Sequence, residues 1–175
     1  MAAARIAEDL QDCIYLGNLD AKRDWGHARD YVEGMWRIMN HGTADDFVLA
    51  TNKTTTVRDF LKMSFRFAGV DLEFHGSGVE EAAVCTKTGK VVVKVDPNYF
   101  RPTEVELLIG NAAKAEEHLN WKAHTSVEEL CKEMVFADLK RVRDEKYSMN
   151  NHKKSVEALV HGENGFLNWY EQNYL

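Results

Sequence analysis

The sequence predicts one domain that mixes strands with helices, in an α/β or α+β arrangement, and three observations carry that expectation. Short β-prone runs alternate along the chain with amphipathic runs of helical period. Hydrophobic residues make up 45% and charged residues 29% of the 175, the balance of a globular domain with its own core. Neither an internal repeat nor a low-complexity linker divides the chain.

Taken in order, the first strand is predicted at Ile14, Tyr15 and Leu16, closed by the turn pair Gly17-Asn18. Asn18 is expected to shape, through its side chain, the polar loop that carries Arg23. Ala28, Tyr31, Val32, Met35, Trp36 and Met39 then recur at the spacing of one helical face, and the pattern fades near His41-Gly42. Residues 46–50, DFVLA, read as a short buried strand. Thr56 with Asp59 three residues on marks the start of a second helix. Its apolar face is Val57, Phe60, Leu61, Phe65 and Ala68, and Gly69 ends it. Residues 70–74 form a short strand, and HGSGVEEAAVCTKTG (75–89) is expected to be a flexible stretch. Valines make 90–95 a strand. Pro97 and Pro102 bracket NYFR, which predicts an extended segment, because the residue before each proline is pushed out of the helical region.

Two helices follow. Residues 112–119 form a short one that ends at Asn120, with Leu119 and Trp121 as packing residues. The next opens on a capping box, Ser126 with Glu129, and presents Val127, Leu130, Cys131, Met134 and Val135 on one face. From about residue 144 the segment KYSMNNHKK is polar enough to read as a loop or frayed end, and FLNWYEQNYL carries aromatic surface that should dock.

Composition and motifs exclude several function classes. A net charge of -6 argues against general nucleic-acid binding, which calls for a basic face. No apolar run reaches the roughly 18 residues of a membrane span. The start, MAAARIAEDL, is too charged for a signal-peptide core. Three cysteines without a C-x-x-C pair point to a reducing compartment, so the expected location is the cytosol. The nearest approach to a dinucleotide fingerprint, Gly76-Ser77-Gly78, has Glu81 where the third glycine belongs. P-loop, nucleophile-elbow and zinc spacings are absent. So is Tyr-x-x-x-Lys, in which a lysine lowers the tyrosine pKa for acid–base work: Leu19, Met35, Thr103, Asn151 and Tyr174 stand four residues after the tyrosines that have such a neighbour. The acidic pairs Glu80-Glu81, Glu116-Glu117 and Glu128-Glu129 read as exposed faces, Lys114 as solvated, and Trp25 as core filler.

Two arginine segments remain, GNLDAKRDWGHARDY (17–31) with Arg23 and YFRPTEV (99–105) with Arg101 and Glu104. Guanidinium offers two parallel N–H groups to phosphate oxygens, and a carboxylate accepts from a ribose diol. Two arginines and a glutamate are therefore a minimal set for a nucleoside diphosphate.

Those segments, with DDFVLAT (45–51), EFHGSGVEE (73–81), residues 95–122 and TSVEELCKEMV (125–135), resemble GDP-mannose 4,6-dehydratases in order over roughly residues 5–140. The resemblance implies an α/β fold: the C-terminal, substrate-binding portion of an extended short-chain dehydrogenase. It assigns residues 1–143 to nucleotide-sugar binding and leaves 144–175 as an unmatched tail. By the same resemblance Arg23 and Arg101 bind the diphosphate of GDP-mannose and Glu104 the ribose. The family's N-terminal Rossmann domain, its NADP and its catalytic residues are expected to lie upstream of this chain, whose helix from His27 and strand at 46–50 would complete that sheet. The chain alone is therefore expected to bind no NADP and to be inactive. The implied partners are GDP-mannose, the missing Rossmann half or a chain supplying it, and a possible second copy in a homo-oligomer, with no nucleic acid and no membrane. The alternative is a stand-alone, non-catalytic nucleotide-sugar-binding or regulatory subunit, which an apolar helix 27–40 covered by the aromatic tail would favour. Asn52, Asn111 and Asn120 depart from the family's usual residues. Asn52 and Asn120 replace glycines, and the fold should survive because asparagine tolerates positive φ.

Overall fold

The computed structural model describes residues 1–101 and 109–161. Its centre is a four-stranded mixed sheet of β1 (Ile14–Leu16), β6 (Val91–Val95), β5 (Ala82–Cys85) and β4 (Leu72–His75), in that spatial order. β1 runs parallel to β6, while β6–β5 and β5–β4 are antiparallel. A separate ribbon pairs β2 (Lys22–Arg23) with β3 (Thr55–Thr56).

One face of the sheet is covered by α1 (Ala2–Ala7) and α3 (Val57–Phe67), where Ala3, Ile6, Leu61 and Phe65 meet Ala83, Cys85, Val92 and Val93. Phe65 and Val93 have no exposed surface. Burying a side chain of Phe size contributes about 2–3 kcal/mol. Behind these helices lies α5 (Val127–His161), which packs Cys131, Val135, Leu139 and Val142 on Ala4 and on the outer residues of α3. A second centre gathers α2 (Ala28–Met39), α4 (Ala113–Leu119) and residues 47–50 around the buried Trp121.

Local signals set most of these elements. Thr56 Oγ accepts from the Asp59 N–H at 3.0 Å, which starts α3. In the capping box of α5, Ser126 N–H donates to Glu129 at 2.8 Å and Glu129 N–H to Ser126 Oγ at 3.2 Å. Asn120 ends α4 with φ of 49°, and Asn52 has φ of 59°. Both asparagines adopt the left-handed conformation the sequence required of them.

Several expectations are corrected. The stretch 75–89 contains β5, not merely a flexible segment, because AAVC is drawn into the sheet by β4 on one side and β6 on the other. Residues 97–99 turn instead of extending. The Asp96 carbonyl accepts from Tyr99 N–H at 3.0 Å, and its carboxylate accepts from Asn98 N–H at 2.8 Å. α5 runs through KYSMNNHKK to His161. That segment holds no glycine or proline, and the hydroxyls of Ser148 and Ser155 donate to carbonyls four residues back, so its polarity is that of a solvated helix. α1 escaped the sequence reading. The aromatic residues Phe166, Trp169, Tyr170 and Tyr174 lie outside the described residues.

Residues 46–50 hold Phe47 and Leu49 on one side and Val48 and Ala50 on the other, where both lie against Gly110, yet they have no ladder partner among the described residues. Most of the predicted apolar face of α2 is likewise bare, with Val32 62%, Met35 56%, Trp36 65% and Met39 85% exposed, while Tyr31 packs edge-on against Trp121. Its other face, with Asp30 and Gly34, is the buried one. A Cβ on Gly34 would come within 2.6 Å of Leu49 and 3.0 Å of Trp121 Nε1, so only glycine lets α2 press this close.

Candidate nucleotide-diphosphate site

Because β1 and β6 are parallel neighbours, their carboxyl ends lie side by side, and the two arginine segments leave from that edge. Open α/β sheets bind ligands beyond the carboxyl ends of parallel strands. The two exits are tied together: Asp96 N–H donates to Leu16 carbonyl at 2.8 Å. Gly17 lies so close to the second segment that a Cβ would stand 2.3 Å from the Tyr99 carbonyl oxygen.

Past Gly17, Asn18 Oδ1 accepts from Asp20 N–H at 2.9 Å, forming the predicted side-chain turn. Leu19 and Ala21 are buried, at 2% and 7% exposure, and their carbonyls accept from the first N–H groups of α3, Arg58 at 2.8 Å and Val57 at 3.0 Å. The helix thus finds partners for otherwise unpaired donors in the very loop that leads to Arg23. Arg23 follows in β2, half-buried, with Nη1 donating to the Lys22 carbonyl at 2.8 Å. Beyond it Asp24 accepts from Thr51 N–H at 2.9 Å and from its hydroxyl at 2.5 Å. Trp25 stacks on Phe60, ring centres 4.4 Å apart, as a packing residue. Arg23 is therefore fixed on both sides.

Arg101 is exposed just beyond the 97–99 turn, while Glu104 lies outside the described residues. The structure thus brings the Arg23 loop and the Arg101 segment to one edge. The glycine-rich turn at 76–78 opens onto a single 3-10 turn (Gly78–Glu80) and β5, not onto a helix, and so does not form a dinucleotide phosphate cradle. Among the described residues no cluster of His, Cys, Asp or Glu has the makings of a metal site, and no helix is long and apolar enough to cross a membrane.

Sequence reasoning missed the residues that brace this edge. Glu81, expected on an exposed face, is 5% exposed and ion-paired with Arg58. Arg58 also reaches Asp20 at 2.7 Å. Nothing in the spacing joins three positions so far apart in the chain. Away from this edge, Lys114 is solvent-exposed as expected and pairs with the equally exposed Asp45 at 2.6 Å over the Phe47 ring.

Comparison with known proteins gives the family. Residues 1–134 match the model of the GDP-mannose 4,6 dehydratase family. The GDP-mannose 4,6-dehydratase of Sinorhizobium fredii is 52% identical over 142 residues, covering 81% of this chain and 40% of that protein. That of Yersinia enterocolitica is 47% identical over 152 residues, covering 81% and 41%, and the human protein 46% over 142 residues, covering 81% and 38%. The chain spans about two fifths of the length of these curated relatives. Among solved structures, RMD from Pseudomonas aeruginosa complexed with NADPH superposes with a TM-score of 0.62 at 17% identity, over 80% of this chain and 41% of that one. UDP-glucose 4-epimerase from Thermotoga maritima with UDP-glucose gives 0.55 at 24% identity, over 80% and 38%. These structures share the α/β fold, with a partial mixed sheet in this chain. The family match and the relatives agree along most of the sequence: the chain belongs to the GDP-mannose 4,6-dehydratase family.

Proposed function

We propose that this chain is the sugar-nucleotide-binding part of a GDP-mannose 4,6-dehydratase, a lyase that converts GDP-mannose to GDP-4-keto-6-deoxymannose. Arg23 and Arg101 hold the diphosphate, and Glu104 accepts from the ribose hydroxyls. The observation that carries this reading is the shared edge: both arginine segments leave the carboxyl ends of parallel β1 and β6, tied by Asp96 and Gly17. The bare face of α2, and residues 46–50 without a ladder partner among the described residues, support a working enzyme in which further chain, supplied by the same polypeptide or a partner, covers both. That remaining part would hold NADP, which would supply hydride chemistry there, while this chain orients the diphosphate. The three free cysteines fit a cytosolic protein. The regulatory-subunit reading turns on the aromatic tail beyond residue 161, which lies outside the described residues.

The test replaces the matching two fifths of the Sinorhizobium fredii relative with this chain and assays GDP-mannose dehydration with NADP. The hybrid should be active. Arg23→Ala or Arg101→Ala should each lower kcat/KM about a hundredfold, roughly 2.7 kcal/mol. Unchanged kinetics in both variants would refute the assignment. The chain alone should give no turnover with NADP, and product formation by the purified chain would overturn that expectation.

A further inference from the structure

We infer that Arg58 is a positioning residue for the diphosphate site, acting through Asp20 on the loop that presents Arg23; this rests on the role just proposed for Arg23. Three observations assign it. First, all three guanidinium nitrogens are engaged. Nε and Nη2 donate to Asp20 Oδ1 at 3.3 and 2.7 Å, Nη2 also donates to Glu81 Oε2 at 3.0 Å, and Nη1 donates to Glu81 Oε1. The guanidinium carbon lies 5.3 Å from the centre of the Phe74 ring. An arginine so committed is a strut, not a phosphate ligand.

Second, the strut spans three parts of the fold. Its own N–H holds the Leu19 carbonyl at 2.8 Å, its side chain grips Asp20, and its far anchor is Glu81 at the start of β5, which is 5% exposed. Third, beside the backbone bonds of Leu19 and Ala21 and the Asn18 turn, Arg58 is what holds the Asp20 side chain. Asp20 is 73% exposed, so the grip of Arg58 does not follow from packing of Asp20 itself. Arg23 stands three residues on, in the short ribbon with Thr55–Thr56. Residues 55 and 56 lead directly into the helix that carries Arg58, so loop, ribbon and helix start are joined to one another. A ligand that needs two guanidinium groups at a fixed separation gains affinity from such pre-organisation.

Arg58→Ala is a poor test, because it strands the buried Glu81 carboxylate and threatens the fold. Asp20→Asn and Arg58→Lys are the useful variants. The first loosens only the exposed end of the strut, and the second keeps the charge but loses the fork. GDP-mannose is titrated into the full chain by calorimetry and by ¹⁵N NMR shifts, with melting curves recorded for each variant. Each change should raise Kd about fivefold in the unaltered chain and leave it unchanged in an Arg23→Ala background, where the strut has nothing left to position. Equal weakening in both backgrounds overturns the inference in favour of a general structural role. If Arg23→Ala weakens binding and neither strut variant does, the positioning role fails alone. If Arg23→Ala has no effect, or the unaltered chain shows no saturable binding, the reading of Arg23 fails and takes this inference with it. Should Arg58→Lys not fold, Asp20→Asn decides between these outcomes.

Discussion

Asp30 supports the chain between α4 and α5. It is 7% exposed; one carboxylate oxygen accepts from the backbone N–H of His124 at 3.1 Å and of Thr125 at 2.9 Å, and its carbonyl accepts from Trp121 Nε1 at 2.7 Å. Burial works to raise its pKa, but the hydrogen bonds from Thr125 and His124 outweigh burial and hold the carboxyl below the usual aspartate value. A depressed folded pKa stabilises the protein fully above the free-aspartate value of about 3.9, and that stability is lost as pH falls through the folded value. Asp30→Asn keeps an acceptor oxygen and should therefore flatten the acid limb of a stability–pH curve below about pH 4, at modest cost near neutrality. Asp30→Ala strands two N–H groups and should cost about 2–4 kcal/mol at pH 7 in urea titrations. The two left-handed asparagines separate backbone from side chain. Asn52 Oδ1 accepts from Ala112 N–H at 3.1 Å, whereas Asn120 serves α4 through its backbone. Asn120→Gly should then be neutral within about 0.5 kcal/mol, and Asn52→Gly should destabilise by about 1 kcal/mol, both read from thermal melts. Equal effects would contradict this division.

Elements were legible in the sequence where a side chain and a nearby backbone group settle them. The caps at Thr56 and Ser126 and the left-handed end at Asn120 are written within three or four residues, and each is present as read. β5 was not legible, because Ala82, Ala83 and Val84 owe their strand geometry to partners in β4 and β6 rather than to any local preference. The polar half of α5 misled for the opposite reason: helical continuity needs only the absence of breakers, while a lack of apolar residues reports solvation. The proposed site divides similarly, its two arginines being candidates by segment and resemblance. Arg23 and Arg101 could be picked out from their segments, but the clasp between them at Gly17 and Tyr99, and the Asp20–Arg58–Glu81 strut, arise only from the parallel pairing of β1 with β6 and the docking of α3. The clasp gives a prediction at this scale. Gly17→Ala would put a methyl into the Tyr99 carbonyl, prise the two exits apart and cost about 1–3 kcal/mol of stability. GDP-mannose affinity, measured on the variant at a temperature where it remains folded, should fall with it. Unaltered affinity would mean that the arginines do not depend on the shared edge.

At the scale of the whole molecule, the balance between buried and open apolar surface is uneven. The sheet and its helices are closed on each other through Phe65, Val93 and Val142, each with no exposed surface, while α2 shows Val32, Met35, Trp36 and Met39 to solvent. A stripe of that kind is costly in water and marks a surface meant to be covered. Its amphipathic period made the helix visible in the sequence, yet the same period could not say that the inward face would be the one built on Asp30 and Gly34. Trp36→Gln with Met39→Lys should act on the open stripe alone. In the isolated chain the pair should lower binding of an apolar reporter dye and reduce concentration-dependent association in sedimentation, while shifting Tm by no more than about 2 °C, as expected of exposed positions. In the hybrid with the upstream three fifths of a relative, the same pair should lower Tm by several degrees, because there the two side chains would be buried against the added part. A pair that leaves dye binding and association unchanged in the chain, or Tm unchanged in the hybrid, would contradict the proposal that further chain covers this stripe.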